Sequence, residues 1–450
     1  MKRILLIVLF GAALCRAQVS DAPLALDDAL SLAMRQSKAT QLGRLKVDAA
    51  DAELKAAQRT ALPQIHAYGA ATYLTDPLEV KVSRGSLTPV LNQTAAQFGL
   101  GPLNIAQFPS NDLSLARGSH TPSVGSIVVA QPLSQLWRIG SGVLAAKAGA
   151  AEARRGSEQI SSKVRLAVEE LYAGLQVESR HMAEKRAMLA WQERRLSDAE
   201  NAQHSGELLD ESVLGLKAAV IEARSELMRS QQDYARLSLQ LADLIGRAGA
   251  DHLVVAEALP AREERPLAYW IAQAVNNPER LIAAATLEKA IAGVRAARQT
   301  YIPEVTLVGG AFAQNGIPLV AKQDQMAALT LSWDVFDFGR RNADISRAVA
   351  QRRAAEVDRD RLEEDAARQI RLAHQDLVFA DEQIALAGQA KAYRRRAAEL
   401  AHQSTGNGLA LETDALEADA QLKKAEADFT GAVCQRHLAL LHLYFLAGKL

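Results

Sequence analysis

Apolar residues along this chain follow two different spacings. In residues 26–60 they recur every three or four positions, which predicts an amphipathic helix. In the stretch PQIHAYGAATYL, which begins at Pro63, apolar and polar residues alternate, and this pattern predicts a strand. Proline lacks an amide donor and disfavours helix at the residue before it, so it suits such a change. The same change recurs at Pro303, and both prolines are predicted to be the joints at which helices pass into strands.

The predicted elements form two tandem units of the same order: helix, strand, loop, strand, long helix, turn, helix. Positions from Val220 to Leu244 match those from Leu422 to Leu446 at a constant offset of 202. We predict a first unit at 18–246, an irregular linker at 247–265 and a second unit at 266–450. The predicted strands are 63–74, 123–133, 303–313 and 326–336, and the predicted helices are 26–60, 143–203, 208–246, 267–300, 340–404 and 409–447.

The longest predicted helices are too long for an ordinary globular domain. At about 1.5 Å of rise per residue, each would reach roughly 90 to 100 Å. The first and last helices of a unit, placed end to end, have a similar combined length. The pattern therefore predicts a long rod in which two helices in series pack against one continuous helix.

The four predicted strands have the length and alternation of membrane β-barrel strands. In the first, Ile65 and Ala67 fall on one face and Gln64 and His66 on the other. Four strands cannot close a barrel, and an open sheet edge in lipid would leave backbone groups unpaired. We therefore expect other copies of the chain to supply the missing strands.

Composition adds little about partners. Lys plus Arg and Asp plus Glu both number 52, so no charge excess favours nucleic acid or an anionic surface. The aromatic share is 5% against 49% hydrophobic residues, which favours a helix-rich protein built on small apolar side chains. After the N-terminal segment, no uninterrupted run of apolar residues is long enough for a transmembrane helix.

The N-terminal segment, residues 1–17, is predicted to be a signal peptide. Lys2 and Arg3 precede an apolar run, and small residues follow it. The alternative is lipidation of Cys15, but Leu14 is larger than the residue that usually precedes such a cysteine. If Cys15 is removed, Cys434 is the only cysteine left, so no disulfide can form within the chain.

Motifs for catalysis and cofactor binding are missing from the sequence. There is no nucleophile elbow, zinc-protease helix motif, CxxC or phosphate loop. His437 and His442 are five residues apart, which does not place them on one helix face as a metal pair. We expect no enzyme activity, no cofactor and no metal.

The order of elements and several motifs resemble the TolC family of outer-membrane efflux proteins. The resemblance is carried by LDDALSLAMRQSKA and LAYWIAQAVNNPE, by the two joint prolines, by FDFGRR at 336–341, and by glycines spaced alike at 206 and 246 and at 408 and 448. It implies a mainly α protein with four strands per protomer, forming a homotrimer with a 12-stranded β-barrel in the outer membrane and a long α-helical barrel of coiled coils in the periplasm. The segment SQLWRIGSG at 134–142 departs from FDFGRR, since it is longer.

The same resemblance implies the function of an exit duct for tripartite efflux or type I secretion. Its partners would be a periplasmic adaptor (membrane fusion) protein, an inner-membrane pump and outer-membrane lipid. Cargo selection would lie mainly in the inner-membrane partner. The alternative is a soluble periplasmic coiled-coil adaptor or scaffold, which explains the helices but not four amphipathic strands.

The two predicted helix hairpins would form the periplasmic tips. Gly206, Gly406 and Gly408 are expected to take the left-handed conformations that end and reverse a helix. In the family, acidic residues just before the tips form a cation-sensitive aperture. By position, these would be Glu399 in the second hairpin and Asp198 and Glu200 in the first; the alternative is that all three are solvated charges on a helix face.

Overall fold

The computed structural model describes residues 23–101, 107–247, 249, 252–256 and 259–450. The predicted signal peptide at 1–17, with Cys15, lies outside the described residues, as does part of the predicted linker. The described chain is mainly helical, with six strands. The helices are α1 (Leu26–Gln36), α2 (Lys38–Arg59), α3 (Thr88–Gln97), α4 (Leu136–His204), α5 (Asp210–Leu244), α6 (Leu267–Gln273), α7 (Pro278–Arg298), α8 (Arg340–Gly406) and α9 (Glu412–Leu446).

Four strands form one antiparallel sheet, in the order β1 (Gln64–Ala71), β4 (Ser123–Pro132), β5 (Glu304–Asn315) and β6 (Gln323–Ser332). A separate two-stranded sheet pairs β2 (Glu79–Val82) with β3 (Leu113–Arg117). In chain order the elements of each half run helix, strand, strand, helix, helix, apart from β2, α3 and β3, which occur only in the first half.

The chain contacts divide the protein into two compact units that are not the two halves of the sequence. A helical unit comprises residues up to Val47, Ala153–Ala283 and Arg359–Leu450. A sheet unit comprises Asp48–Glu152 and Ala284–Asp358. Each unit therefore draws segments from both halves, because the long helices α4 and α8 leave the sheet unit and continue into the helical one.

The helical unit has two apolar clusters. One is built around Tyr172 and Leu241, which are fully buried between α4 and α5. The other is built around Trp270, which packs with Ile370 of α8 and Leu443 of α9. Burying such side chains contributes about 1.5–3 kcal/mol each, which fixes the long helices to one another over this region.

The single helix predicted at 26–60 is wrong: it is broken at Ser37. This residue has extended backbone, its Oγ accepts a hydrogen bond from the Ala39 amide at 3.3 Å, and its carbonyl accepts one from Thr40 Oγ1 at 2.8 Å. The predicted helix at 267–300 is broken in the same way at Asn277. Its Oδ1 accepts hydrogen bonds from the amides of Glu279 and Arg280, and Pro278 is the first residue of α7.

The first half differs from the predicted order in two places. The segment 75–122, predicted only as the loop between the first two strands, contains β2, α3 and β3. At SQLWRIGSG only three residues separate β4 from α4, which begins at Leu136. In the second half seven residues separate β6 from α8, and most of SQLWRIGSG is the first turns of a helix.

Candidate functional site

The four-stranded sheet is open at both ends. Its outer strands are β1 and β6, and no other strand of the described residues pairs with the free edge of either one. Each free edge presents a row of backbone N–H and C=O groups, which favours pairing with a further strand. Both edges of the sheet are therefore available for pairing with further strands.

One face of this sheet is apolar and exposed. The register places Ile65 of β1 opposite Val129 of β4, and Leu307 of β5 opposite Leu329 of β6, so their side chains share a face. We call this the apolar face; its large members are Ile65, Ile127, Val129, Leu307, Leu329 and Leu331, whose exposed fractions run from 37% to 71%. Aliphatic area left in water costs about 25 cal/mol per Å², so a contiguous face of this kind indicates a surface that hydrocarbon or protein covers.

The opposite face is mixed in character. It carries polar side chains at Gln64, His66, Ser126, Thr306 and Thr330, interspersed with apolar ones that include Tyr68, Phe312 and Met326. Apolar-out and polar-in alternation across neighbouring strands is the pattern of a barrel strand with lipid on one side and water on the other.

Hydrogen bonds from the end of β4 hold the joints at the two prolines. Ser134 Oγ donates to the Pro303 carbonyl at 2.5 Å and accepts from the Val305 amide at 2.8 Å. Gln131 Nε2 donates to the carbonyl of Ala61, two residues before Pro63, at 3.0 Å. Both helix-to-strand transitions are therefore fixed against the same strand, a role of Gln131 and Ser134 that the sequence pattern did not reveal.

The FDFGRR motif forms the corner between β6 and α8. Asp337 accepts hydrogen bonds from the amides of Gly339 and Arg341, and its carboxylate lies 2.8 Å from Arg341 Nε. Hydrogen bonds and the charge of Arg341 lower the pKa of Asp337. Phe338 and Gly339 have φ of 53° and 89°, so the chain reverses through two left-handed residues. Arg341 also lies over the Tyr301 ring at 4.8 Å, which ties the corner to the segment before Pro303.

Exposed aromatic side chains surround the two corners. Phe336 and Phe338 pack edge to face at 4.7 Å, and both are largely exposed. Trp137 at the start of α4 and Trp333 just after β6 are exposed as well. Aromatic side chains at the ends of barrel strands are typical of the membrane–water boundary.

The two helix hairpins end in matching turns. Gly206 and Gly408 have φ of 77° and 74°, and Glu207 and Leu409 donate their amides to the carbonyls of Ala202 and Ser404 at 2.9 Å. This is the hydrogen bond of a Schellman motif, which ends a helix at a left-handed glycine. The prediction for Gly406 is wrong: it is the last residue of α8 and is helical, because the left-handed position falls two residues later.

The predicted aperture acids are each paired with a nearby base. Asp198 lies 3.2 Å from Arg194 on α4, and Glu399 lies 2.9 Å from Arg396 on α8. Glu200 reaches across the first hairpin to Lys217 of α5 at 3.1 Å. The structure brings Asp198 and Glu200 together near the end of α4, and no ion pair among the described residues joins either of them to Glu399. Their role at an aperture stays a prediction.

The histidines and acidic residues of the described chain are not gathered into a cluster of metal ligands. Among the described residues, no three His, Cys, Asp or Glu side chains lie close enough together to hold a metal ion. His437 and His442 contact Glu169 and Glu170 of α4 instead of each other. None of the described helices is both long enough and apolar enough to cross a membrane.

A family model described as "Outer membrane efflux protein" matches residues 271–449. This part of the chain, which is less than half of it, is therefore similar to the outer membrane efflux protein family. The matched residues include β5, β6, the FDFGRR corner and the second hairpin. The resemblance to TolC-like efflux proteins is thereby confirmed, and with it the expectation of an outer-membrane transport channel of this family. No curated protein sequence matches the chain.

Solved structures of outer-membrane channels have the same fold over nearly the whole chain. VceC from Vibrio cholerae is 17% identical, with a TM-score of 0.71 over 94% of this chain and 96% of its own. CmeC from Campylobacter jejuni is 14% identical, with a TM-score of 0.75 over 94% and 85%. MtrE from Neisseria gonorrhoeae is 16% identical, with a TM-score of 0.68 over 94% and 88%. At these identities the likeness establishes the fold alone, which is mainly helical with some strands.

Proposed function

We propose that the chain is one protomer of a trimeric exit channel in the outer membrane. The observation that carries this proposal is the four-stranded sheet, with one apolar face and two free edges. Pairing the β6 edge of one copy with the β1 edge of the next satisfies both edges, and three copies give a closed barrel of 12 strands. The apolar face then lies against lipid, and the strand ends with their exposed aromatics lie at the membrane boundary.

The long helices supply the rest of the duct in this proposal. Helices α4 and α8, of 69 and 67 residues, would each reach about 100 Å at about 1.5 Å per residue. Joined to barrel strands on the lipid side, they would extend through the periplasm as an α-helical barrel that ends at the hairpin tips. A periplasmic adaptor and an inner-membrane pump, or a type I secretion system, would deliver cargo at that end. The duct is passive and opens at its tips.

The soluble adaptor or scaffold explains the apolar face less well. A soluble protein would leave six large aliphatic side chains and two strand edges in water.

Membrane fractionation with a matched pair of substitutions tests the proposal. The wild-type chain should fractionate with the outer membrane and give a trimer in detergent by light scattering. Leu329→Lys places a charge on the apolar face and should strongly reduce the trimer, because a lysine facing the bilayer midplane costs about 2–4 kcal/mol. Thr330→Lys, one residue along on the opposite face, should leave the trimer in place. A monomer in the periplasmic wash, or equal tolerance of both lysines, would contradict the channel.

A further inference from the structure

Two helices of the helical unit carry exposed apolar side chains at an interval of seven residues. On α5 these are Leu214, Ile221 and Met228, whose exposed fractions are 64–69%. On α8 they are Leu372, Phe379, Leu386, Tyr393 and Leu400, whose exposed fractions are 47–74%. We call these sets the α5 stripe and the α8 stripe. Repetition every seven residues places such side chains on one seam of a coiled coil.

The stripes belong to the outer helices of the unit. Helix α4 contacts α5 through Glu193 and Arg224 at 3.0 Å, and it contacts α9 through Arg194 and Glu412 at 3.2 Å. Helix α9 in turn contacts α8, where Asp419 lies 2.9 Å from His402. The order across the unit is therefore α5, α4, α9, α8. Both α5 and α8 have a free side, and no hydrogen bond or ion pair among the described residues joins one to the other.

The stripes lie at matching distances from the two hairpin turns. Leu214 is eight residues after the left-handed Gly206, and Leu400 is eight residues before its counterpart Gly408. Ile221 and Tyr393 are each 15 residues from their glycines, and Met228 and Leu386 are each 22. Helix α5 runs away from its turn and α8 runs toward its turn. If α5 and α8 lie side by side with their hairpin turns at the same level, the two helices are antiparallel. Each residue of the α5 stripe then lies opposite one residue of the α8 stripe.

Charged residues beside the stripes fit the same register. Glu222 follows Ile221 on α5, and Arg394 follows Tyr393 on α8. Both side chains are exposed, and neither forms an ion pair within the described part of the chain. In an antiparallel coiled coil, residues that follow equivalent seam positions lie on the same side of the contact, so the register places these opposite charges together.

The seam also has a defined end. On α5 the next two positions at the same interval are Ala235 and Ala242, and Ala242 is fully buried inside the unit. At this heptad position, large apolar side chains therefore face outward on α5 only from Leu214 to Met228. The contact is confined to the part of the helices nearest the hairpin turns.

We infer that the α5 stripe of one copy packs against the α8 stripe of the adjacent copy, with the layers Leu214–Leu400, Ile221–Tyr393 and Met228–Leu386. The occupant of each stripe is a second copy of this chain, because one protomer carries both complementary surfaces on opposite sides of the same unit. A contact of this kind between unlike surfaces closes into a ring when the rotation between successive copies completes a full turn, as the proposed trimer requires. The inference rests on the proposed trimer and specifies which residues join its subunits near the tips.

Cysteine crosslinking between differently tagged chains tests the register. One chain carries Ile221→Cys and the other Tyr393→Cys, and both are expressed together and oxidised in the membrane. Disulfides need Cα atoms about 4.4–6.8 Å apart, so only level residues can form one efficiently. The matched pair should give a dimer carrying both tags, whereas Ile221→Cys with Leu372→Cys, which lies three heptads further along α8, should give none.

Exchange of the flanking charges is a second test that does not depend on disulfide geometry. Glu222→Arg and Arg394→Glu should each weaken the trimer against dissociation by heat in detergent, and the double variant should regain most of the loss. A loss in the double variant equal to the two single losses added together would overturn the assigned register.

The failure of this inference can be told apart from the failure of the proposed function. An outer-membrane trimer that crosslinks only at the mismatched pair, or at neither pair, overturns the stripe contact and leaves the channel standing. A monomeric chain that crosslinks at no pair overturns both.

Discussion

Nε2 of His437 lies 2.9 Å from Oε2 of Glu169, and this contact joins α9 to α4 inside the helical unit. The other carboxylate oxygen of Glu169 lies 2.6 Å from Arg262. Burial by itself would raise the pKa of Glu169, but the hydrogen bond with His437 and the charge of Arg262 outweigh it and lower the pKa. The buried carboxylate is therefore held ionised by partners from two distant parts of the chain.

Glu169→Gln should destabilise the helical unit by about 3 kcal/mol, because removing one member of a buried ionic cluster leaves the others without compensation. The lowered pKa also fixes the pH dependence. The ionised Glu169 carboxylate stabilises the folded state fully at pH values above the ordinary carboxyl pKa of about 4.3. This stabilisation is lost as the pH falls through the lowered pKa of Glu169 in the folded protein.

Thermal melting between pH 7 and pH 3 measures both effects. The wild type should lose stability on acidification more steeply than Glu169→Gln. Glu170→Gln is the control, since the Glu170 side chain is 42% exposed and lies 3.1 Å from His442. An equal loss in the two variants would contradict a special role for the buried cluster.

Cysteine labelling should distinguish the two faces of the sheet. With cysteine at Ile65 or Leu331, a lipid-soluble maleimide should react and a membrane-impermeant one should not, because both positions lie on the apolar face. Cysteine at the neighbouring Gln64 or Ser332 should react with the water-soluble reagent. The same pattern at all four positions would mean that the strands do not separate lipid from water.

The corner after β6 should be sensitive to one added methyl group. Gly339→Ala should cost about 1–2 kcal/mol, since φ of 89° is unfavourable for a residue with Cβ even where space is open. Gly140→Ala is the matched control, because this glycine lies within α4 and its added Cβ also meets open space. The yield of heat-resistant trimer should fall for Gly339→Ala and stay level or rise for Gly140→Ala.

Loss of the aperture acids should widen the conducting path at the tips. Asp198→Ala combined with Glu399→Ala should raise single-channel conductance in planar bilayers and weaken block by divalent cations. Glu382→Ala, on the same helix as Glu399 but 17 residues further from the turn, should change neither quantity. Unchanged conductance and block in the double variant would remove these acids from the aperture.

The thiol of Cys434 should be inert in the folded protein. Burial raises its pKa to about 11, so almost no thiolate exists at neutral pH. Ellman's reagent at pH 8 should therefore react only after unfolding in guanidinium chloride. Rapid reaction of the native protein would show that the packing around α9 is more open than the structure describes.

The strands could be predicted from the sequence because their signal is local. The alternation that includes Ile65 and Ala67, and the proline before it, can be recognised from neighbouring residues alone. In the structure, the strand register then aligns these residues with their partners across the sheet. The hairpin turns at Gly206 and Gly408 were visible for the same reason. The sequence does not show whether Gly406 or Gly408 is left-handed, because only the backbone angle φ in the structure distinguishes the two glycines.

The contacts that fix one element on another could not be predicted. Glu169 and His437 are 268 residues apart, and each resembles an ordinary charge on a helix face until both helices are in place. Ser134 is equally inconspicuous in sequence, although it forms hydrogen bonds with both Pro303 and Val305. At Ser37 the chain can either continue the helix or end it with hydrogen bonds between the serine and the backbone. The spacing of apolar residues does not show which of these two is more stable.

The free edges of β1 and β6 make a single copy of the chain prone to aggregation. Before its neighbours arrive, the chain exposes two strands able to pair with any extended peptide, together with an aliphatic surface that water does not solvate well. Correct and incorrect association therefore use the same backbone groups. If three copies form the proposed trimer, newly exported chains would have to stay dilute or shielded until they meet at the membrane, so the rate of delivery is expected to limit how much of the trimer forms.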